Sequence, residues 1–423
     1  MTAATTATEE GAPRVPPSPP RELGTAVSDY IARVRGGDVG SLPAVLGVVV
    51  LVIVFSILRP ETFTNAFNVA NLINQSSAVM VIAMGLVFVL LLGEIDLSAG
   101  WTAGTAAAMM GVVLTREGWP WWLSILVCLA TGAVVGTIIG LLVARLGIPS
   151  FVVTLAAFLA LQGVLLKIIG VGGTIPIRDS KILAINNNTM PVWLGWALFV
   201  VVVGAYAAVS LRRAASRRAG GLQSEGTSVV IGKVVVLAVL LGALTAYLST
   251  ERSRNPAVSS IKGVPLVVLL LVILLVGLNF VLGRTAFGRH VYAVGGNAEA
   301  ARRAGINVKQ IMLFCFIIGS TLAAVGGILL ASRDNSISPS TGGADTLLYA
   351  VGAAVIGGTS LFGGKGKILD AVLGGLVIAI IINGMGLLNQ PSSVVYIVTG
   401  LVLLFAASVD ALSRRRAAAS GRV

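Results

Sequence analysis

Long apolar segments recur along most of this chain. About twelve lie between residues 44 and 409, and most reach the roughly 20 residues that an α-helix needs to cross a bilayer. Only 11% of the residues are charged, against about 25% in a soluble domain. The pattern predicts an all-α polytopic membrane protein with about twelve transmembrane helices, within a range of about 10–12. The expected spans are 44–58, 76–92, 98–114, 121–144, 150–170, 191–211, 229–249, 263–283, 311–331, 345–361, 367–388 and 394–409.

The apolar region separates two tails. Residues 1–42 are rich in Thr, Ala and Pro, which predicts a disordered cytoplasmic tail with a short surface helix near 27–34. Residues 43–412 are expected to form the transmembrane domain and 413–423 a basic cytoplasmic tail. The start of the chain lacks the short apolar core and small-residue cleavage site of a removable signal peptide.

The distribution of Lys and Arg predicts the orientation of these spans. The chain carries 30 basic residues and a net charge of +13. If the N-terminus is inside and twelve spans alternate, roughly 21 of those 30 fall on the inner side, which is the bias of a cytoplasmic face. We therefore expect a multi-pass plasma-membrane protein with both termini cytoplasmic. The positive charge points to topology and to the lipid surface of the bilayer, and no nucleic acid is expected as a partner.

A polar, basic stretch at 284–310 lies between two apolar spans and is too long for a simple hairpin. Within it, Asn297 predicts a helix N-cap, 298–304 a short helix, and Gly305 the residue that ends the helix. A short capped helix between two spans is suited to docking on a soluble partner. A solvated loop of an unrelated membrane protein explains the pattern equally well.

Two acids, Glu94 and Asp96, interrupt the apolar pattern just before Ser98. Acids at membrane depth are unfavourable and usually face a pore, a partner or an interface. One interpretation is a helix break on a transport path or at its cytoplasmic mouth. The other is a tight turn in which Asp96 or Ser98 caps the next helix. Other polar residues within apolar runs are candidates for the path, although such residues more often join helices. They are Asn74, Gln75, Ser76, Gln162, Asn279 and Asn383.

The glycine-rich segment at 356–367 invites comparison with a phosphate-binding loop. The spacing does not fit, because Thr359 stands where the first glycine belongs and Gly366 follows Lys365. A glycine-rich turn between packed helices is the favoured interpretation. The two cysteines lie in apolar runs without metal spacing, and a single histidine excludes histidine clusters. We expect a transport subunit and not an enzyme, with no cofactor of its own. If ATP drives it, ATP and Mg²⁺ bind a separate ATPase chain.

Three motifs, in this order and spacing, resemble the membrane permeases of monosaccharide ABC importers. They are GEIDLS at 93–98, GRHVYAVGGNAEAARRAGINV at 288–308 and GGTSL at 357–361. Glu94, the run RTAFGR at 284–289 and the additional apolar pair across 191–249 are similar to the xylose permease branch.

The resemblance implies the ABC importer permease fold and a defined set of partners. Two permease copies would form a homodimer around the path, two ABC ATPase subunits would bind inside, and an extracytoplasmic sugar-binding protein would deliver a pentose such as xylose. The loop 284–310 would carry the helix that couples the permease to the ATPase. The coupling residues implied are Asn297, Glu299, Ala300, Arg302, Arg303 and Gly305.

Three alternatives stay open on the sequence. A secondary sugar transporter driven by protons or sodium is compatible with acids inside the membrane. A permease for branched-chain amino acids would have a related fold. A membrane scaffold or receptor would bind partners and move no substrate.

Overall fold

The computed structural model describes residues 40–170, 173–221, 226–253, 255–257 and 260–419. The expected N-terminal tail and its short helix near 27–34 lie outside the described residues, except for 40–42. The last four residues, 420–423, lie outside them as well.

Helices dominate the described part of the chain, with two short strands and one π-helical turn, Val112–Arg116. The helices and strands are, in order, α1 (Leu42–Leu58), α2 (Pro60–Phe63), α3 (Ala66–Leu91), α4 (Ala99–Gly111), α5 (Trp121–Ala144), α6 (Ser150–Ile169), β1 (Ile175–Pro176), α7 (Ser180–Asn187), α8 (Val192–Ala219), α9 (Thr227–Leu248), α10 (Val267–Arg284), α11 (Ala286–Gly296), α12 (Ala298–Arg303), α13 (Val308–Asp334), β2 (Ser336–Ile337), α14 (Ala344–Gly357), α15 (Ile368–Leu387) and α16 (Ser392–Ala419).

The predicted polytopic helical fold is confirmed. Within the described residues, nine helices are long and apolar enough to cross a bilayer, and α1 and α14 are shorter apolar helices. With α4, these helices account for all the predicted spans. The helix α16 continues to Ala419, so the first residues of the predicted C-terminal tail extend this helix.

The second span was predicted too short. We expected it to begin at residue 76, whereas α3 begins at Ala66 and has 26 residues. Asn65 caps it, since its side chain accepts a hydrogen bond from the Phe67 amide at 2.9 Å. Some polar residues in the first turns of α3 have hydrogen-bond partners inside the protein. Asn68, for example, bonds Asn383 and the Phe63 carbonyl.

The chain divides into two compact units. The smaller unit, in its described part, consists of most of α8 and α9. Trp196 packs edge-on against Phe199 at 5.6 Å between ring centroids, and Gly242 faces the same ring. The Arg218 guanidinium donates to the Thr227 hydroxyl at 2.8 Å near the turn. The larger unit consists of the described residues within 36–195 and 246–423, and the rest of the description concerns it.

Two similar helical groups form the centre of the larger unit. In the first group, α3, α4 and α5 have 26, 13 and 24 residues. In the second, α13, α14 and α15 have 27, 14 and 20 residues. In both groups a non-helical break separates the long first helix from the short second one. The first group has its break at 92–98 (with a π turn also following α4), and the second has its break at 335–343. The pairing between groups is reciprocal: α3 packs on α15, and α13 packs on α5.

Glycines allow these helices to approach closely. A Cβ added at Gly136 would lie 2.5 Å from the Phe316 carbonyl oxygen, so α5 and α13 are in backbone contact. Small residues at such positions let helices of a membrane protein pack closely. The long helices α3 and α13 cross where a Cβ at Gly85 would lie 2.8 Å from the Gly319 carbonyl oxygen.

Candidate functional site

The stretch 284–310 contains two helices. Asn297 caps α12, since its Oδ1 accepts from the Ala300 amide at 2.9 Å, and Gly305 follows with φ of 84°. The short helix predicted here is confirmed, one residue shorter than expected. The preceding helix α11 was missed. Its signal was Thr285, whose hydroxyl accepts from the Gly288 amide at 3.2 Å.

Most residues of α12 are exposed, and one side of the helix packs on the protein. Glu299 pairs with Arg302 at 2.8 Å and with Arg303 at 3.0 Å. Hydrogen bonds from these two arginines lower the pKa of Glu299. Ala301 is buried at 5% exposure and fixes the helix to the protein. The six residues implied by the resemblance are all exposed: Asn297, Glu299, Ala300, Arg302, Arg303 and Gly305.

The three motifs that carry the resemblance meet at one end of the larger unit, which we call the junction (residues 91–98, 284–310 and 357–367). The Gly364 amide donates to the Leu91 carbonyl at 2.8 Å. The Tyr292 hydroxyl donates to the Gly366 carbonyl at 2.7 Å, and burial raises the pKa of Tyr292. Gly363, at φ of 85°, adopts a backbone conformation that glycine allows. The structure thus supports a glycine-rich turn at 356–367.

Asp96 lies at the junction and is 1% exposed. Its Oδ1 accepts from the Ser98 amide at 2.8 Å and from the Ser98 hydroxyl at 2.6 Å. Its Oδ2 has no hydrogen-bond partner among the described residues, and burial raises the pKa of Asp96. Ser98 occupies the N-cap position of α4, but its side chain makes no capping bond. Glu94 is half-buried. The capping interpretation is therefore right for the position of Ser98 and wrong for its hydroxyl.

A polar cavity of about 490 Å³ lies toward the opposite ends of α3 and α15. The helix rise gives its distance from the junction. Val79 in the cavity wall is twelve residues, or about 18 Å along α3, from Leu91 at the junction. Amides, hydroxyls and apolar side chains share the wall. The polar lining residues are Asn68, Asn71, Gln75, Ser76, Arg333, Asp334, Ser338, Ser340, Thr341, Thr346, Tyr349 and Asn383.

The cavity gathers only some of the predicted path residues. Gln75, Ser76 and Asn383 line it. Asn74 lies beside them, with its backbone carbonyl accepting from the Ser77 hydroxyl at 2.8 Å. Asn279 is exposed on α10. The other candidates, Glu94, Asp96, Ser98 and Gln162, are not among the residues that line this cavity.

One wall of the cavity is non-helical backbone, from residue 335 to 343. Ile337 pairs with Ile175 between β2 and β1. The Asn187 amide on α7 donates to the Ser332 carbonyl at 2.6 Å and to Asn335 Oδ1 at 3.0 Å. Irregular backbone inside a membrane protein is tolerated where it is buried in protein or lines a water-filled cavity. In transporters such broken helices mark the substrate site.

These features define a class: a multi-pass helical permease with a polar cavity between broken helices. A family model described as "Branched-chain amino acid transport system / permease component" matches residues 68–407. The chain belongs to this family of transport permeases.

Individual relatives agree with that assignment. The xylose transport system permease protein XylH of Escherichia coli (strain K12) is 36% identical over 373 residues, covering 88% of this chain and 92% of that protein. The fructose import permease protein FrcC of Rhizobium meliloti is 30% identical, over 89% of this chain and 88% of that protein. The ribose import permease protein RbsC of E. coli (strain K12) is 28% identical, over 87% and 92%. No solved structure matches the chain.

Proposed function

We propose that this chain is the membrane-spanning permease subunit of an ATP-driven ABC importer, and that it translocates a monosaccharide, a pentose such as xylose. Similarity to a xylose permease over 88% of the chain supports the substrate class. The ATPase would be a separate chain, which carries ATP and Mg²⁺.

The observation that carries the proposal is the cavity of about 490 Å³. Its volume falls within the roughly 300–1,000 Å³ of small-molecule sites. Neutral amides and hydroxyls dominate its polar lining, and each can donate to or accept from a sugar hydroxyl. The two charged residues in its wall, Arg333 and Asp334, pair with each other at 3.0 Å. Such a lining suits an uncharged polyol better than a zwitterion, which loses more solvation on entering.

The partners follow from the same proposal. The exposed face of α12 would dock in a groove of the ATPase on the cytoplasmic side, with both chain termini on that side as the distribution of basic residues indicates. A sugar-binding protein would deliver substrate from the outside to the cavity end. A second copy of the chain would complete the path as a homodimer in the lipid bilayer.

The test is uptake of labelled xylose into proteoliposomes that contain this chain, the ATPase and the binding protein. We expect uptake that requires ATP, survives ionophores that collapse proton and sodium gradients, and is not reduced by excess leucine. Uptake that follows an ion gradient without ATP would instead make the chain a secondary transporter.

The family description favours one second candidate, a permease for branched-chain amino acids. Labelled leucine in the same vesicles separates the two functions. ATP-dependent leucine uptake without xylose uptake would replace the sugar by an amino acid and leave the ATPase-driven mechanism in place.

A further inference from the structure

Asn68 and Asn383 form a reciprocal amide pair in the cavity wall. Asn68 Nδ2 donates to Asn383 Oδ1, and Asn383 Nδ2 donates to Asn68 Oδ1, both at 2.9 Å. Asn68 lies in the first turn of α3 and Asn383 in the last two turns of α15. The pair therefore joins two helix ends at the side of the cavity that is remote from the junction.

The two amides differ in their remaining bonding capacity. Asn68 Nδ2 uses its other proton on the Phe63 carbonyl at 3.0 Å. Asn383 has a second amide proton and a second carbonyl lone pair, and neither takes part in a hydrogen bond recorded within the described residues. Asn383 lines the cavity. Its second amide proton and second carbonyl lone pair therefore give a ligand in the cavity one donor and one acceptor.

A polyol matches this pair chemically. Neutral hydrogen bonds contribute little net stability when an equivalent partner can replace them, but a buried amide left without a partner is unfavourable. A hydroxyl is at once donor and acceptor. Two neighbouring hydroxyls of a sugar can therefore take over the partner roles of both amides, so that the pair separates without leaving an amide unsatisfied.

We propose that the Asn68–Asn383 pair is the outer latch of the transport path, and that a vicinal diol of the sugar opens it. When closed, the pair holds the start of α3 against the end of α15. When the diol binds, it replaces the amide–amide bonds and the two helix ends part. This inference rests on the proposed function, because it requires a polyol substrate.

The first test holds the latch closed. Asn68→Cys and Asn383→Cys are combined with Cys128→Ala and Cys315→Ala, which remove the two buried native thiols. A short bifunctional thiol reagent that releases on reduction then joins the pair in the reconstituted importer. We expect ATP-driven xylose uptake to be lost on cross-linking and to return with dithiothreitol. Each single cysteine variant, treated with the same reagent, is the control. Full uptake in the cross-linked importer would overturn the proposal.

The second test is independent of cross-linking. The uptake ratio of xylose to a monodeoxy analogue is compared between the wild type and Asn383→Leu with the same binding protein, so that the selectivity of the binding protein cancels. We expect the ratio to fall by about tenfold or more, since a site built to hydrogen-bond a hydroxyl discriminates against its loss. Asn279→Leu, an exposed asparagine on α10, is the matched control and should keep the ratio.

The outcomes separate the two proposals. An unchanged ratio in Asn383→Leu refutes the latch while sugar transport stands. If wild-type importer moves no monosaccharide, the proposed function fails, and the latch as stated fails with it.

Discussion

The two breaks, 92–98 and 335–343, occupy corresponding positions in the two helical groups, yet they are built differently. Side-chain hydrogen bonds close the first break. The Ser98 hydroxyl donates to Asp96 Oδ1 at 2.6 Å, and the Ile95 amide donates to the Ser150 hydroxyl on α6 at 3.2 Å. The second is held at its edges by β1 and α7 and presents backbone to the cavity. The breaks thus follow first helices of similar length, 26 and 27 residues, while the local residues decide whether side chains close the break or it lines a cavity.

The largest effect is expected at the junction end. Ala300→Trp and Arg302→Glu should each abolish co-purification with the ATPase and uptake, because both residues are exposed on α12 and available for docking. Stability should change by less than about 0.5 kcal/mol, as is usual for surface substitutions. Co-purification from detergent extracts is the measurement.

Ala160→Trp, at an exposed alanine of α6, is the matched control and should keep ATPase binding. If both α12 variants bind the ATPase and transport normally, the 284–310 stretch is an ordinary loop. The assignment of the junction to coupling would then be lost.

The next effect concerns the contact between the start of α4, which follows the first break, and the end of the second break. A Cβ added at Gly100 would lie 2.5 Å from the Gly342 carbonyl oxygen and 2.7 Å from that of Gly343. Gly100→Ala should therefore destabilise the protein by about 1–3 kcal/mol through overpacking. Thermal unfolding in detergent measures this. Gly163→Ala, where a Cβ meets nothing within 4 Å, should be neutral or stabilising, and equal stability of the two variants would contradict the close contact.

A smaller, pH-dependent effect is expected from Asp96. Burial raises its pKa above the ordinary 3.8, so the native chain keeps this proton to higher pH than the unfolded chain does. As pH rises above about 3.8, the unfolded state ionises first, and this residue lowers the free energy of unfolding until the native carboxyl also ionises.

Asp96→Asn should remove that pH dependence and retain uptake, since an amide oxygen can still accept from Ser98. Asp96→Leu should lose stability, because the Ser98 hydroxyl loses its acceptor. Thermal midpoints between about pH 4 and about pH 7 measure the difference. Loss of uptake in a stable Asp96→Asn variant would assign the charge a direct role and make the first break part of the path.

The smallest effect is expected at the edge of the second break. Asn187→Ala removes two hydrogen bonds to α13 and its end, at 2.6 and 3.0 Å. We expect the free energy of unfolding to fall by only about 1 kcal/mol, because the Asn187 side chain is exposed and water can replace its hydrogen bonds. Asn188→Ala, the adjacent exposed asparagine, is the control. Chemical denaturation distinguishes the two, and equal midpoints would show that α7 does not hold the cavity wall.

Local patterns predicted much of this fold. The lengths of the apolar runs predicted the spans. Asn297 and Gly305 predicted α12, because helix caps act within one turn of the helix. The start of α3 could not be predicted from the local sequence, since Asn68 in its first turn pairs with Asn383 of α15. Asn68 and Asn383 are 315 positions apart, and no local rule joins them. The cavity depends on such distant pairs, so Asn68, Asn71 and Tyr349 escaped prediction.

The crossing of α3 and α13 at Gly85 and Gly319 has a mechanical consequence. Gly85 is six residues from Leu91 and nineteen from Ala66, which at the helical rise is about 9 Å on one side and about 29 Å on the other. A rigid tilt of α3 about this crossing moves its two ends by unequal amounts, because the arm to Leu91 is short and the arm to Ala66 is long. A displacement of about 1 Å at the short arm becomes about 3 Å at the long arm, which is comparable to the length of a hydrogen bond. A small movement at the junction is thus enlarged at the cavity end of α3.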